Sequence, residues 1–386
     1  MASKFGSQCI AVLRNLNLEL KGCWSSLRRI GNLSNQIKVS ISLSLIVLLI
    51  TVSYLLSSHT GEKELEDILY CHAIETDQKL PDISDNAPLN VTKRNIFFLE
   101  TSCNSHKEGK LTINARQACA VESAARLNPN MDVYLLFASP GIIKDEDSES
   151  DRILRVLKLY PNIKILHFNI KRFVQNSPVE NLWTTGKIRV SLFPMAHTSD
   201  ILRLLALWKY GGIYLDLDVI VTKNLEDLPD NFGGAESDVL VANGVIGFGK
   251  DGKGKEYINE CINDISQNFD GQQWSFNGPQ LLTRNIFSHC PQFDWYTIIR
   301  FGRCEEFKIF PPSAFYMLHY TQWRLFFDEN LGNILVPLIE KQSYLTHVWN
   351  KLSFRQNISK TDTNVPYLKL ATKYCPGVVR ALDKYF

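Results

Sequence analysis

The sequence predicts an α/β domain on a mostly parallel sheet, carried behind a single N-terminal membrane-spanning helix. Three observations carry this. Short apolar runs alternate with helical patterns from Arg94 onward, as in βαβ units. An uncharged stretch, Val39 to Ser57, precedes them. Between the two lies a polar segment with Pro81 and Pro88.

The apolar run VSISLSLIVLLITVSYLLS is 19 residues long. At 1.5 Å per residue it extends about 28 Å, near the hydrocarbon thickness of a bilayer. Lys4, Arg14, Lys21, Arg28, Arg29 and Lys38 precede it against Glu19 alone. The positive-inside rule therefore sets the N-terminus in the cytosol and the rest beyond the membrane. The basic region is long and no small-x-small cleavage site follows, which argues against a removed signal peptide. The expected organisation is a cytosolic tail (1–38), the span (39–57), a stem (58–93, with a charged helical stretch Glu62 to Leu69) and a folded domain beyond the membrane (94–386). A span this short suits the thinner early secretory membranes.

The elements follow in order. Asn95 to Glu100 reads as a strand, Arg116 to Arg126 as a helix ending before Asn128-Pro129, and Met131 to Phe137 as the next strand. Asp151 to Tyr160 reads as a helix and Ile163 to Phe168 as a strand. The net charge of +2 over 386 residues excludes a whole-protein affinity for nucleic acid. Seven cysteines follow the span, an odd number, so at least one is free or pairs between chains. No cysteine or histidine cluster has zinc spacing. Asn90-Val-Thr and Asn357-Ile-Ser are glycosylation acceptors on the far side of the membrane.

The densest signal is TSDILRLLALWKYGGIYLDLDVIV, residues 198–221. Thr198 or Ser199 is expected to cap a helix whose buried face is Ile201, Leu204, Leu205 and Trp208. Gly211-Gly212 stops it, and Ile213 to Val221 reads as one strand. On that strand Asp216 and Asp218 share a face, about 6.6 Å apart. Two carboxylates among apolar neighbours repel each other and resist burial. A hard divalent cation, Mn²⁺ or Mg²⁺, removes both problems and also binds diphosphate oxygens.

The pattern S-D-x-x-R-x-x-x-L-x-x-Y-G-G-x-Y-L-D-x-D resembles the D-x-D glycosyltransferases of the α1,4-galactosyltransferase and α1,4-N-acetylglucosaminyltransferase family. The resemblance extends through Phe98-Leu-Glu-Thr-Ser102, Asn243-Gly244, Asn277-Gly-Pro-Gln-Leu-Leu-Thr-Arg284, Phe310-Pro-Pro-Ser-Ala-Phe-Tyr316 and Thr346-His-Val-Trp-Asn350. It implies a GT-A fold, a Rossmann-like domain binding a UDP-sugar beside the D-x-D strand. It further implies a Golgi type II membrane enzyme that retains anomeric configuration and acts on a glycolipid or glycan acceptor. The oligomeric state stays open.

Site residues carry two readings each. His347 reads alone as a core histidine, and by resemblance as a third metal ligand. Asp200 and Arg203, one helical turn apart, read as a surface ion pair or as the pair that fixes donor-sugar hydroxyls. Asn243-Gly244 reads as a turn dipeptide or as the donor-sugar loop. Gly278 marks a tight turn, and the resemblance puts Gln280 near the anomeric carbon. An amide is a poor nucleophile, which favours attack by the acceptor on the face that UDP leaves. Glu100 and Thr101 end the first strand, where open α/β sheets bind ligands, or form a loop without a role. Lys351 fits a phosphate partner or a solvated side chain. Phe315, Tyr316, Tyr320 and Trp323 fit sugar stacking or core packing. Met317-Leu318-His319 follows Tyr316 where the family often has proline, which leaves the acceptor open. Three functions remain: transfer of galactose or N-acetylgalactosamine to glycolipid, transfer of N-acetylglucosamine to glycoprotein, and a lectin of the same fold. The intact Asp216/Asp218 pair argues against the lectin.

Overall fold

The computed structural model describes residues 93–386 and, before them, 71, 72, 74, 80–85 and 89. The expected span, the helical stretch at 62–69 and the Asn90 acceptor lie outside the described residues. Among the described residues no helix is long and apolar enough to cross a membrane.

An eight-stranded sheet organises the domain. Strands β1 (Ile96–Glu100), β2 (Val133–Phe137), β3 (Ile163–His167) and β4 (Gly212–Leu215) run parallel in the order β3-β2-β1-β4. A hairpin of β6 (Phe232–Ser237) and β7 (Leu240–Phe248) then joins antiparallel to β4, and β9 (Phe307–Phe310) and β8 (Arg303–Cys304) complete the edge. Strand β5 (Val219–Val221) leaves this sheet and pairs antiparallel with β10 (Leu345–His347). The sheet is thus parallel in its first half and mixed beyond β4.

Both faces of the sheet are buried, as the period of two along β1 requires. Ile96 and Phe98 pack with helix α1 (Ala115–Leu127) on one side. Phe97 and Leu99 pack with helices α3 (Pro194–Tyr210), α4 (Gly252–Asn268) and α5 (Pro279–Phe287) on the other. Helix α2 (Glu149–Lys158) and the C-terminal helices flank α1. The short elements agree with the sequence reading to within about two residues at each end.

Two local expectations fail. Helix α3 begins at Pro194, one turn before the expected cap, and its end has no side-chain cap. Proline at the first helical position lacks an N–H that would otherwise be left unpaired, so it opens the helix by itself. The expected strand Ile213 to Val221 is two strands in two sheets, with Asp216-Leu217-Asp218 as the passage between them. Outside the strand each carboxylate gains a hydrogen-bond donor of its own, Tyr214 for Asp216 and the Asn350 N–H for Asp218.

Gly211 ends α3 at φ 65° and Gly212 follows at φ 99°. A side chain at Gly212 would meet the Asn95 carbonyl oxygen at 2.5 Å, so both conformation and space demand glycine. Three disulfides form among the described residues: Cys71–Cys103, Cys119–Cys375 and Cys290–Cys304. Cys261 stays free and buried, as the odd count requires.

Candidate active site

The carboxyl ends of β1 and β4 open into a cleft of about 520 Å³ lined by Glu100, Thr101, Ser102, Arg116, Tyr214, Asp216, Asp218 and Asn350, among others. Strand ends in an open α/β sheet point their loops into such a crevice.

Asp216 and Asp218 line the cleft, and with His347 they offer ligand atoms that all lie within 4.8 Å of one another. His347 Nε2 is 3.0 Å from Asp218 and 3.5 Å from Asp216. The β5–β10 pairing sets this: His347 stands opposite Val219, the residue after Asp218. Val348 N–H donates to the Asp218 carbonyl at 2.8 Å, and Asn350 N–H donates to the Asp218 carboxylate at 2.8 Å. Tyr214 O–H donates to Asp216 at 2.7 Å. Gly244, inside β7, accepts from Asp216 N–H at 2.8 Å, and a side chain there would strike the Asp216 carboxylate at 2.5 Å.

Arg203 lies 3.0 Å from Asp216 and 3.6 Å from Asp200, with its guanidinium 4.6 Å from the Tyr214 ring centre. It also donates to the Asn243 carbonyl at 3.0 Å, while the Asn243 amide donates to Asp200 at 2.8 Å. A side chain at Gly278 would meet Asn243 at 2.7 Å and Asp200 at 2.9 Å. Asp200 and Arg203 of α3 and Asn243 of β7 therefore form one buried polar cluster beside the Asp216–Asp218 passage, with Gly278 packed against it.

Charge balance explains the protonation states. Burial opposes the ionised form of Asp216, but Arg203 and then His347 hold its carboxyl below the ordinary range. Burial also opposes a charged His347, yet Asp218 and Asp216 raise its pKa to about 10. Burial disfavours the charge on Arg203, while Asp216, Tyr214 and Asp200 carry it above the usual arginine value. Burial pushes Asp200 up even beside Arg203. The imidazolium thus occupies the charge position that a cation between two carboxylates would fill. The oxygen-and-imidazole donor set suits a divalent ion.

At the other wall, Glu100 is buried, and its Oε2 has no hydrogen-bond partner among the described residues. Burial raises its pKa to about 7 against hydrogen bonding from Ser102, whose N–H donates to Oε1 at 3.0 Å, and from the Gln117 side chain. His72, from the segment before the domain, donates through Nε2 to the Thr101 carbonyl at 2.9 Å. The Tyr316 hydroxyl is likewise buried and unpartnered among the described residues.

Most expected residues are brought together here. Asp200 and Arg203 are no surface pair, since both are buried. Asn243-Gly244 is no turn, because it lies within β7. Phe315, Tyr316 and Trp323 are buried and only Tyr320 is exposed, so core packing claims most of that aromatic set. Gln280 donates to Ser275 Oγ at 2.7 Å and is not among the cleft residues. Lys351 is exposed and its amine rests 5.0 Å from the Trp274 ring centre. Sequence reasoning missed Tyr214, Asn350 and Arg116. Tyr214 was legible two residues before Asp216. Arg116, which holds Ser353 and Asn350, stood 234 residues from the latter and left no local signal.

Fold and site define a glycosyltransferase. Residues 114–236 match the model of a glycosyltransferase sugar-binding region containing the DXD motif, and residues 250–382 match an α1,4-glycosyltransferase conserved region. The chain belongs to the α1,4-glycosyltransferase family and is a hexosyltransferase. It is 30% identical to a lactosylceramide 4-alpha-galactosyltransferase of Mus musculus, over 75% of this chain and 77% of that one. It is 26% identical to an alpha-1,4-N-acetylglucosaminyltransferase of Homo sapiens, over 76% and 82%. A solved galactosyltransferase with donor and acceptor sugar analogs is loosely similar, at 16% identity and TM-score 0.36 over 74% and 95%.

Proposed function

We propose that this protein moves galactose or N-acetylgalactosamine from a UDP-sugar to a glycolipid in α1,4 linkage, with retention, in a GT-A-type domain anchored type II in the Golgi membrane. The observation that carries this reading is the Asp216–Asp218–His347 triad, set between the cleft and the Asp200–Arg203–Asn243 cluster. Relatives named for lactosylceramide favour the glycolipid acceptor.

Asp216, Asp218 and His347 would hold Mn²⁺ (or Mg²⁺). Such an ion supplies charge neutralisation to a diphosphate leaving group. The chain does the rest. Glu100 and Thr101 border the nucleotide. Asp200, fixed by the Asn243 amide, accepts from a hydroxyl of the donor sugar, and Arg203 keeps the local charge balanced. A site built to hydrogen-bond hydroxyls discriminates strongly among sugars. The acceptor oxygen bonds to the anomeric carbon as the carbon–phosphate oxygen bond breaks, and the acceptor proton passes to the departing phosphate. No protein nucleophile is required.

The test is a panel of UDP-sugars with Mn²⁺ and the membrane-anchored chain, offered lactosylceramide and N-acetylhexosamine-terminated glycolipids. Turnover of UDP-galactose or UDP-N-acetylgalactosamine, abolished by EDTA, is expected. Turnover of UDP-N-acetylglucosamine alone would replace this donor assignment with the N-acetylglucosaminyltransferase reading.

A further inference from the structure

Three surface segments meet around the cleft mouth. The first, Lys187 to Met195, leads into α3 and exposes Val190 (76%) and Leu192 (64%). The second, Gly271 to Phe276, exposes Trp274. The third, Asn350 to Gln356, exposes Leu352 and Phe354 (65%). They are contiguous. Leu192 N–H donates to the Gly271 carbonyl at 2.8 Å, His197 at the base of the first segment is 3.2 Å from the Gln273 carbonyl, and Lys351 of the third lies over Trp274 of the second. Met195 and Phe354 line the cleft itself, so the exposed rim is its doorway.

Exposed apolar side chains scattered singly need no explanation, but a contiguous set bordering a site does. The charge on these segments is one-sided. They hold Lys187, Arg189, Lys351 and Arg355 and no aspartate or glutamate. Apolar tips interleaved with lysine and arginine are the composition that seats at a lipid interface, where the tips enter the acyl boundary and the cations stay with the phosphates.

We propose that this rim docks on a phospholipid bilayer, so that the cleft receives the headgroup of a glycolipid whose chains stay in the membrane. The inference rests on the glycolipid reading of the acceptor. A glycolipid headgroup extends only a short way from its bilayer, so a cleft serving it in place must come to the surface. The rim provides the face that does so, independently of any anchor elsewhere in the chain.

The experiment uses the full chain in phosphatidylcholine–phosphatidylserine vesicles. It compares the galactosyl acceptor as an embedded glycolipid with the same headgroup as a water-soluble glycoside. The test variant combines Val190→Ser, Leu192→Ser and Leu352→Ser, none of which lines the cleft. Expected is a tenfold or greater fall in kcat/KM on the embedded acceptor with the soluble glycoside unchanged, which also shows that the variant is folded. Brominated lipid should quench the fluorescence of wild type more than that of Trp274→Phe. An unchanged kcat/KM of the triple variant on the embedded acceptor, or equal quenching of wild type and Trp274→Phe, would overturn the proposal. So would a fall in oligomer mass on introducing the triple variant, which would make the rim a contact between copies. If wild type turns over neither acceptor, the glycolipid reading fails, and quenching still decides the docking face.

Discussion

Two histidines act on residues of the same cleft, and although burial opposes the charge on both, they end in opposite protonation states. Among the described residues no carboxylate shifts the titration of His72. Burial dominates and lowers its pKa to about 4, so the ring is neutral and serves as a donor to the Thr101 carbonyl. His347 is equally enclosed, but Asp218 and Asp216 reverse the outcome and raise its pKa to about 10. The difference separates support from chemistry. Where burial meets no charge, the side chain fastens a loop. Where it meets two carboxylates, the region holds surplus negative charge that only a cation settles. Structural ion pairs also shift pKa values, so the sharper sign is that all three groups offer ligand atoms within 4.8 Å of one another, two of them lining the cleft.

The largest effect that tests this contrast is at Asp218. Asp218→Ala should lower transfer by about a thousandfold, the scale for removing preorganised electrostatic stabilisation, while thermal unfolding stays cooperative. Steady-state kinetics beside a melting curve checks it, and a variant with wild-type turnover would end the metal-site reading. His347→Ala should weaken Mn²⁺ about 10- to 100-fold, read by metal titration. A ligand imidazole must lose its proton, so Mn²⁺ affinity of the wild type should rise with pH through the neutral range. The variant should show a flatter rise.

How much of this was legible follows from distance along the chain. Asp216 and Asp218 announced themselves because two carboxylates inside Ile-Tyr-Leu-Asp-Leu-Asp-Val-Ile-Val break a local rule of burial. The parallel half of the sheet was legible for the same local reason, apolar runs of strand length between helical patterns. The mixed half was not. The Asn243-Gly244 pair has the composition of a turn, and only the pairing of β7 with both β4 and β6 turns it into mid-strand backbone. Pairing across so many residues leaves no periodic trace. The passage at Leu217 was hidden likewise, because β5 abandons the sheet for a partner more than a hundred residues later. Asp200 and Arg203 could be placed on one helix face but not buried, since burial there comes from α5 and β7. Resemblance, not spacing, pointed to His347.

Glu100 sharpens the comparison from the acidic side. Its pKa is raised from 4.5 to about 7, so the folded state binds the proton more tightly than the unfolded one. Stability from this group is full below pH 4.5 and declines as pH rises to about 7. Glu100→Gln should remove that decline and stabilise the protein above pH 7 by about 3 kcal/mol at most. Chemical denaturation across pH 4 to 8 measures it. An unchanged slope would mean that Oε2 finds a partner in solution.

His72 gives the smallest effect at neutral pH and the opposite slope. Its folded pKa lies below the unfolded value of 6.5, so its contribution is full above pH 6.5 and lost as pH falls toward 4. The loss is up to about 3 kcal/mol. His72→Gln keeps a donor for the Thr101 carbonyl but cannot be protonated, so it should flatten the acid limb and leave the denaturation midpoint at pH 7.5 nearly unchanged. His72→Ala removes the donor as well. Because Thr101 and Ser102 line the cleft and Cys71 is disulfide-bonded to Cys103 just beyond, this variant should raise KM for the donor several-fold with kcat held. An equal fall in kcat would place His72 with His347, among the groups that act in the transition state. A changed acid limb with unaltered kinetics would make it a structural fastening alone.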